Sequence, residues 1–136
     1  MSADFIDTNV LLYAYGAPDE GRRSQASSLV LRLASEKRAV ISIQVMQEFY
    51  VNALVKVPMK PDEALLRLEA MSRWFVYSPL PGDVVDAVNL ARRYQLSFWD
   101  AMIVLAASRM KCETLWTEDL NSGQVIEGVT IRDPFA

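Results

Sequence analysis

Histidine is absent from this chain of 136 residues. The side chain that titrates nearest neutral pH and the commonest zinc ligand are lost together, which excludes Ser-His-Asp, Cys-His and His-metal chemistry. Cysteine occurs once, as Cys112, so no internal disulfide can form and a reducing, cytoplasmic setting is expected, with Cys112 inert. Residues 1–7 lack the basic segment and long apolar stretch of a secretory signal. No uninterrupted apolar run approaches the ~18 residues of a membrane span, so no membrane association is expected. Repeats, low-complexity tracts and Gly/Ser-rich linkers are missing too. A hydrolase made from this chain must activate water through a metal held by carboxylates, or use a carboxylate directly as base or nucleophile.

What is present suits a globular fold. Hydrophobic residues make up 51% and charged residues 23%, enough apolar surface for a core, and the length fits one domain over residues 1–136. Short apolar runs alternate with helical patterns, the signature of βαβ units around a mostly parallel sheet, so the fold class is α/β. Ala3 to Ile6 reads as the first strand, and Thr8 as the cap of a helix that stops at Gly16-Ala17-Pro18. An amphipathic helix follows from about Glu20 to Lys37, with Ala26, Leu29, Val30 and Leu33 as its buried stripe. Ala39-Val40-Ile41 is the second strand; Ser42 caps a helix running to Pro58, and another starts at Pro61 and ends near Trp74-Phe75.

Val76-Tyr77 reads as a short third strand, and a helix follows Gly82 as far as Tyr94. The next helix starts near Asp100, and its body, Ala101 to Ala107, is seven consecutive apolar residues, which predicts burial on nearly every side. Thr114 to Thr117 is the fourth strand and Val129 to Ile131 the fifth.

In an open parallel sheet the ligand crevice lies beyond the carboxyl ends of the strands. Four acids map onto that edge: Asp7 ends the first strand, Glu48 lies in the second turn of the helix after the second, Asp100 opens the buried helix, and Asp119 follows the fourth strand. Converging carboxylates repel one another unless cations neutralise them, and hard oxygen ligands select Mg²⁺ or Mn²⁺. Such an ion lowers the pKa of water and polarises a phosphoryl oxygen, so phosphodiester hydrolysis suits the equipment best. Thr8 and Asn9 beside Asp7, and Thr117 and Asn121 beside Asp119, are candidates to orient a carboxylate or a ligand water. The net charge of −3 argues against a nucleic-acid partner, but without the four acids the rest of the chain carries +1.

Each acid also has a plainer reading. Asp100 suits a helix N-terminus on dipole grounds alone, Asp119 a turn cap, Asp7 a loop residue beside a cap, and Glu48 a solvated helix face. Trp74, Phe75, Phe98 and Trp99 offer base-stacking rings, but core packing is the expectation at these positions. The pairs Arg22-Arg23 and Arg92-Arg93 are phosphate grips or simply solvated faces.

The segments Phe5-Ile6-Asp7-Thr8-Asn9-Val10-Leu11, Ser42 to Asn52 with Glu48, Ser97-Phe98-Trp99-Asp100-Ala101, and Leu115-Trp116-Thr117-Glu118-Asp119-Leu120 resemble PIN-domain ribonucleases of the VapC toxin group. That resemblance implies a three-layer α/β/α domain with a five-stranded, mostly parallel sheet and metal-dependent cleavage of RNA. It implies Asp7, Glu48 and Asp100 as ligands of Mg²⁺ or Mn²⁺, with Asp119 as a fourth and Glu118 competing for that place. It further implies a homodimer and an antitoxin protein whose tail fills the acidic groove. Two phosphate-handling rivals fit less well. A receiver-type signalling domain carries paired acids after its first strand and a late Lys, whereas Thr8 follows Asp7 here and no Lys comes after Lys111. A haloacid-dehalogenase-like phosphatase needs an Asp where Asn9 stands. A related fold that binds RNA or protein without cutting is the remaining alternative.

Overall fold

The structure is a computed structural model and describes residues 2–136. The first strand, β1 (Asp4–Ile6), is buried along its length and leads into α1 (Thr8–Ala14) and α2 (Glu20–Ser35). The chain re-enters the sheet as β2 (Ala39–Ser42), leaves through α3 (Ile43–Lys56) and α4 (Pro61–Met71), and returns as β3 (Phe75–Tyr77). Helices α5 (Pro81–Tyr94) and α6 (Phe98–Arg109) precede β4 (Thr114–Trp116), and β5 (Val125–Ile126) and β6 (Val129–Arg132) close the fold.

The strand order is β3-β2-β1-β4-β6-β5, with every pair parallel except β5–β6. The chain builds outward from β1 through β2 to β3, then jumps to β1's other flank to lay down β4. Right-handed crossovers therefore put the helices before and after the jump on opposite faces, giving three layers. The reversal also opens a crevice between β1 and β4 at the carboxyl end of the sheet.

Helix signals in the chain act where they stand. Ser42 Oγ accepts from the Val45 N–H at 3.3 Å, Ser97 Oγ from the Asp100 N–H at 3.0 Å, and Pro61 and Pro81 occupy first-turn positions that need no N–H. Phe5, Ile6, Ile41, Leu115 and Ile131 are fully buried in the sheet. Helix α6 packs on β2, β4 and β6, and all seven residues from Ala101 to Ala107 are buried, as their all-round apolarity predicts. At about 1.5–3 kcal/mol per large apolar side chain buried, this helix is a main support of the fold. Asp4 is buried as well, taking the Trp116 indole N–H at 2.9 Å and Arg38 at 3.3 Å, so it is a pin between β1, β4 and the start of β2.

Some boundaries differ from the sequence expectation. The sheet has six strands rather than five, because Val125-Ile126 pairs back on Val129-Thr130 through a turn with positive φ at Glu127 and Gly128. Asp7, not Thr8, caps α1: its Oδ1 takes the Thr8 N–H at 2.7 Å. Helix α6 begins at Phe98, which puts Asp100 in its first turn rather than at its opening. Phe75 is 55% exposed and Trp99 61%, against the expectation that both lie in the core, whereas Trp74 and Phe98 are half-buried against it. Among the described residues, no helix is long and apolar enough to cross a membrane.

Candidate active site

Asp7 stands where β1 ends and α1 begins, next to the crevice between β1 and β4. The parallel register Ile6–Trp116 brings Thr117 alongside it, and the Thr117 hydroxyl donates to Asp7 Oδ2 at 2.9 Å. The next two residues reach the other acids. Thr8 Oγ1 donates to Glu48 Oε1 at 2.8 Å, while Asn9 Nδ2 donates to Asp119 Oδ2 at 2.9 Å, with longer approaches to Thr117 Oγ1 at 3.2 Å and Asp7 Oδ2 at 3.4 Å. The tripeptide Asp7-Thr8-Asn9 therefore works as a junction: its first residue supplies a carboxylate and the other two each fasten a carboxylate brought by a distant element.

The return half of the junction comes from the segment after β4. Thr117 Oγ1 accepts the Asp119 N–H at 3.1 Å, and Asn9 Oδ1 accepts the Glu118 N–H at 3.4 Å. Glu48 projects from the second turn of α3, where Gln44, one turn earlier, donates to its other oxygen at 3.2 Å and to the Trp99 carbonyl at 3.2 Å. That bond ties α3 to the first turn of α6, which carries Asp100. Asp7, Glu48, Asp100 and Asp119 all line one cavity of about 160 Å³.

The four acids share that cavity with one cationic side chain, Lys56. Burial pushes the Asp7 carboxyl up to about 7, against the pull of its bonds from Thr117 and Thr8, and the charges of Asp119 and Glu48 add to the rise. Asp100 is also raised, by burial first, with Ser97 opposing and Asp119 and Glu48 reinforcing. Every hydrogen bond described to Asp7, Glu48 and Asp119 comes from a neutral group, so the acids are held in place without their charge being balanced.

The donors are all oxygens of hard, anionic or amide type, which matches Mg²⁺ or Mn²⁺ and excludes softer metals. Among the described residues no three acidic side chains stand close enough to ligate one ion directly. Mg²⁺ in particular retains several waters and takes one or two carboxylates, so a group of acids around a cavity with room for an ion and its waters fits it.

The other sequence candidates are placed elsewhere. Asn121 turns its amide toward Gln124 at 3.5 Å and lines no part of the cavity, because the chain has already left the crevice for the β5–β6 hairpin. Glu118, the rival of Asp119, is bonded to Arg22 at 2.8 Å and faces an adjoining cavity. Arg22 is further held over the Tyr13 and Phe135 rings, and Arg23 reaches Glu20 at 3.3 Å. Cys112 is buried, and burial, with the charge of Asp4, pushes its thiol up to about 12, which disfavours the reactive thiolate. Sequence reasoning missed Gln44, Asn52 and Lys56, which line the cavity with Glu48. The signal was available: the four polar residues recur at every fourth position of a helix that, Gln47 and the Tyr50 hydroxyl apart, is otherwise apolar.

The PIN domain family matches residues 5–125 of the chain. The chain belongs to the PIN-domain family. The fold of this PIN domain recurs in solved structures. A toxin–antitoxin complex from Klebsiella pneumoniae is 24% identical with a TM-score of 0.67, over 97% of this chain and 98% of that one. VapC20 of Mycobacterium tuberculosis, described as a Sarcin-Ricin loop cleaving toxin, is 18% identical with a TM-score of 0.63, over 83% and 87%. VapBC2 of Rickettsia felis, bound to a DNA fragment from its promoter, is 16% identical with a TM-score of 0.66, over 96% and 98%. No curated protein matches this PIN domain by sequence.

Proposed function

We propose that this PIN domain is a metal-dependent endoribonuclease and the toxin of a toxin–antitoxin pair. The observation that carries the reading is the junction: Asp7, Glu48 and Asp119, brought by three separate elements, are cross-fastened by Thr8, Asn9 and Thr117 around one cavity that Asp100 also lines. A structural role does not explain why neutral donors hold three carboxylates around a cavity that a fourth also lines and that has a single lysine. A site made to receive divalent cations and a phosphodiester does.

Asp7, Glu48, Asp100 and Asp119 would together hold Mg²⁺ or Mn²⁺, one or two of them directly and the others through water, and the ion when bound would neutralise the acids, polarise the phosphoryl group and acidify water. The protein's own part is positioning. Thr117 and Thr8 fix the Asp7 carboxylate, and Thr8 and Gln44 clamp both oxygens of Glu48. Asp119, held through Asn9, lies nearer solvent and shares with Glu48 the task of orienting the attacking water and taking its proton. Water adds in line to phosphorus as the bond to the leaving ribose oxygen breaks, and that oxygen takes up a proton.

The partners follow from the same reading: RNA as substrate, a second copy of the chain, and an antitoxin protein that blocks the acidic groove. One structural neighbour is described as a toxin–antitoxin complex and another as VapBC2 bound to promoter DNA, which supports the antitoxin. The test is incubation of the purified protein with labelled RNAs in Mg²⁺, in Mn²⁺ and in chelator. Cleavage that needs the ion and vanishes in Asp7→Asn is the expected result. Metal-independent cleavage, or full activity in that variant, defeats the proposal.

A further inference from the structure

Helix α3 presents more than Glu48 to the cavity. Gln44, Glu48, Asn52 and Lys56 all line it, and their four-residue spacing puts them on one face, about 18 Å from first to last. Lys56 and Asn9 also wall an adjoining cavity of about 290 Å³ that extends past Tyr13 and Pro18, so the two lie end to end across these side chains. At the other end, Gln44 is bonded to the Trp99 carbonyl. Asp100, next to Trp99, and Ile103, four residues on, both line the cavity, so helix periodicity sets Trp99 on its rim. The indole there is 61% exposed and braced edge-to-face by Phe98 at 5.0 Å.

Leaving an indole in water forfeits the burial of a large apolar surface, and bracing it with a second ring holds it ready for a flat partner. Every nucleobase offers such a face, and stacking on an aromatic ring is tolerant of sequence. A lysine is the matching point charge for a phosphate. We propose that the substrate strand lies along the polar face of α3, with one base stacked on Trp99 and a phosphate on the far side of the acids held by Lys56. This rests on the nuclease reading above and adds to it two substrate-binding residues and the line the strand follows.

The test separates the two levels. Binding is measured in the Asp7→Asn background with Mg²⁺, by indole fluorescence and by anisotropy of a labelled, unstructured oligoribonucleotide, against an abasic strand of equal length. The base-bearing strand quenches indole emission and the abasic strand does not. Trp99→Ala abolishes the quench and weakens binding of the base-bearing strand about 10-fold or more, and Trp99→Phe restores most of the affinity. Lys56→Gln weakens both strands and lowers the slope of log affinity against log salt by about 0.7. In the cleaving protein, Trp99→Ala raises KM more than it lowers kcat. Cleavage by the unaltered protein with unchanged KM and affinity in Trp99→Ala overturns the proposal and leaves the nuclease reading intact. So does a Trp99→Ala variant that binds RNA normally but no longer self-associates in sedimentation, because the ring then serves a contact between copies. Absence of both RNA binding and cleavage in the unaltered protein ends the two together.

Discussion

Asp7 and Asp83 are each 5% exposed, yet the fold treats their charges in opposite ways. Asp83 sits in the first turn of α5. Burial by itself would raise it, but the Tyr77 hydroxyl, the Leu80 N–H and the Arg109 guanidinium together hold it below the usual carboxylate range. Arg109 also reaches Asp86 at 2.7 Å, so the cluster joins β3, α5 and the end of α6 with a cation inside it. Asp7 has good hydrogen bonds but no cation against it, and is pushed up to about 7. The chain supplies the counter-charge of Asp83 and leaves Asp7 with neutral positioning alone, the arrangement that the proposed cation site requires.

The largest effect that tests this contrast is on catalysis. Asp7→Asn should lower RNA cleavage by about 1000-fold or more while the far-ultraviolet circular dichroism stays native. Asp83→Ala should reverse the pattern. It removes a cap and strands the Tyr77 hydroxyl and Arg109, so the melting temperature should drop by roughly 10 °C while cleavage per folded molecule persists.

The two acids also predict opposite pH dependences. A carboxyl raised in the folded state contributes stability that is complete below its unfolded pKa near 4 and is lost as pH rises through about 7, so Asp7 weakens the fold at pH 8. Asp7→Asn should therefore melt about 5 °C higher than the parent at pH 8 and equally at pH 4. Asp83, depressed in the fold, contributes stability that is present above pH 4 and lost as pH falls through its folded value. Asp83→Asn should flatten the acid side of the curve and leave the alkaline side alone. A calorimetric pH series of both variants checks the two signs together. Mg²⁺ should raise the melting temperature of the parent at pH 8, and less so that of Asp7→Asn. The smallest change expected is in Thr8→Val, which frees one oxygen of Glu48 and should cost about 10-fold in kcat with little loss of stability.

Much of this was legible in the chain. Asp7, Asp100 and Asp119 stand at strand ends or a helix start and Glu48 in the second turn of its helix, and the topology of a parallel sheet sends such positions to one edge, so the meeting of the four around one cavity was legible from position. The unbroken apolar run of α6 announced its burial. What stayed hidden depended on pairing. Two-residue β5 follows from a hairpin whose turn places Glu127 at positive φ, and Glu lacks the local hydrogen bonding that makes Asn or Asp a turn signal there. The exposure of Trp99 has no mark in the sequence, since an aromatic beside an apolar run reads as core until the neighbouring helix is placed. Asn121 looked like a partner of Asp119 because it lies two positions on, but the chain turns away before reaching it. The polar repeat on α3 was visible and was obscured by reading Glu48 singly.

Strands β1 and β4 are three residues each, and their alignment decides which side chain meets Asp7. Alternation along an extended strand has a period of two, so a slip of one position would swing Thr117 to the opposite side of the sheet. The Asp7 contact would go with it, although every acid remained in the sequence. A slip of β4 by one position against β1 would therefore undo the support of Asp7 without altering any of the four acids. The site's chemistry is inherited from a zipper only three teeth long.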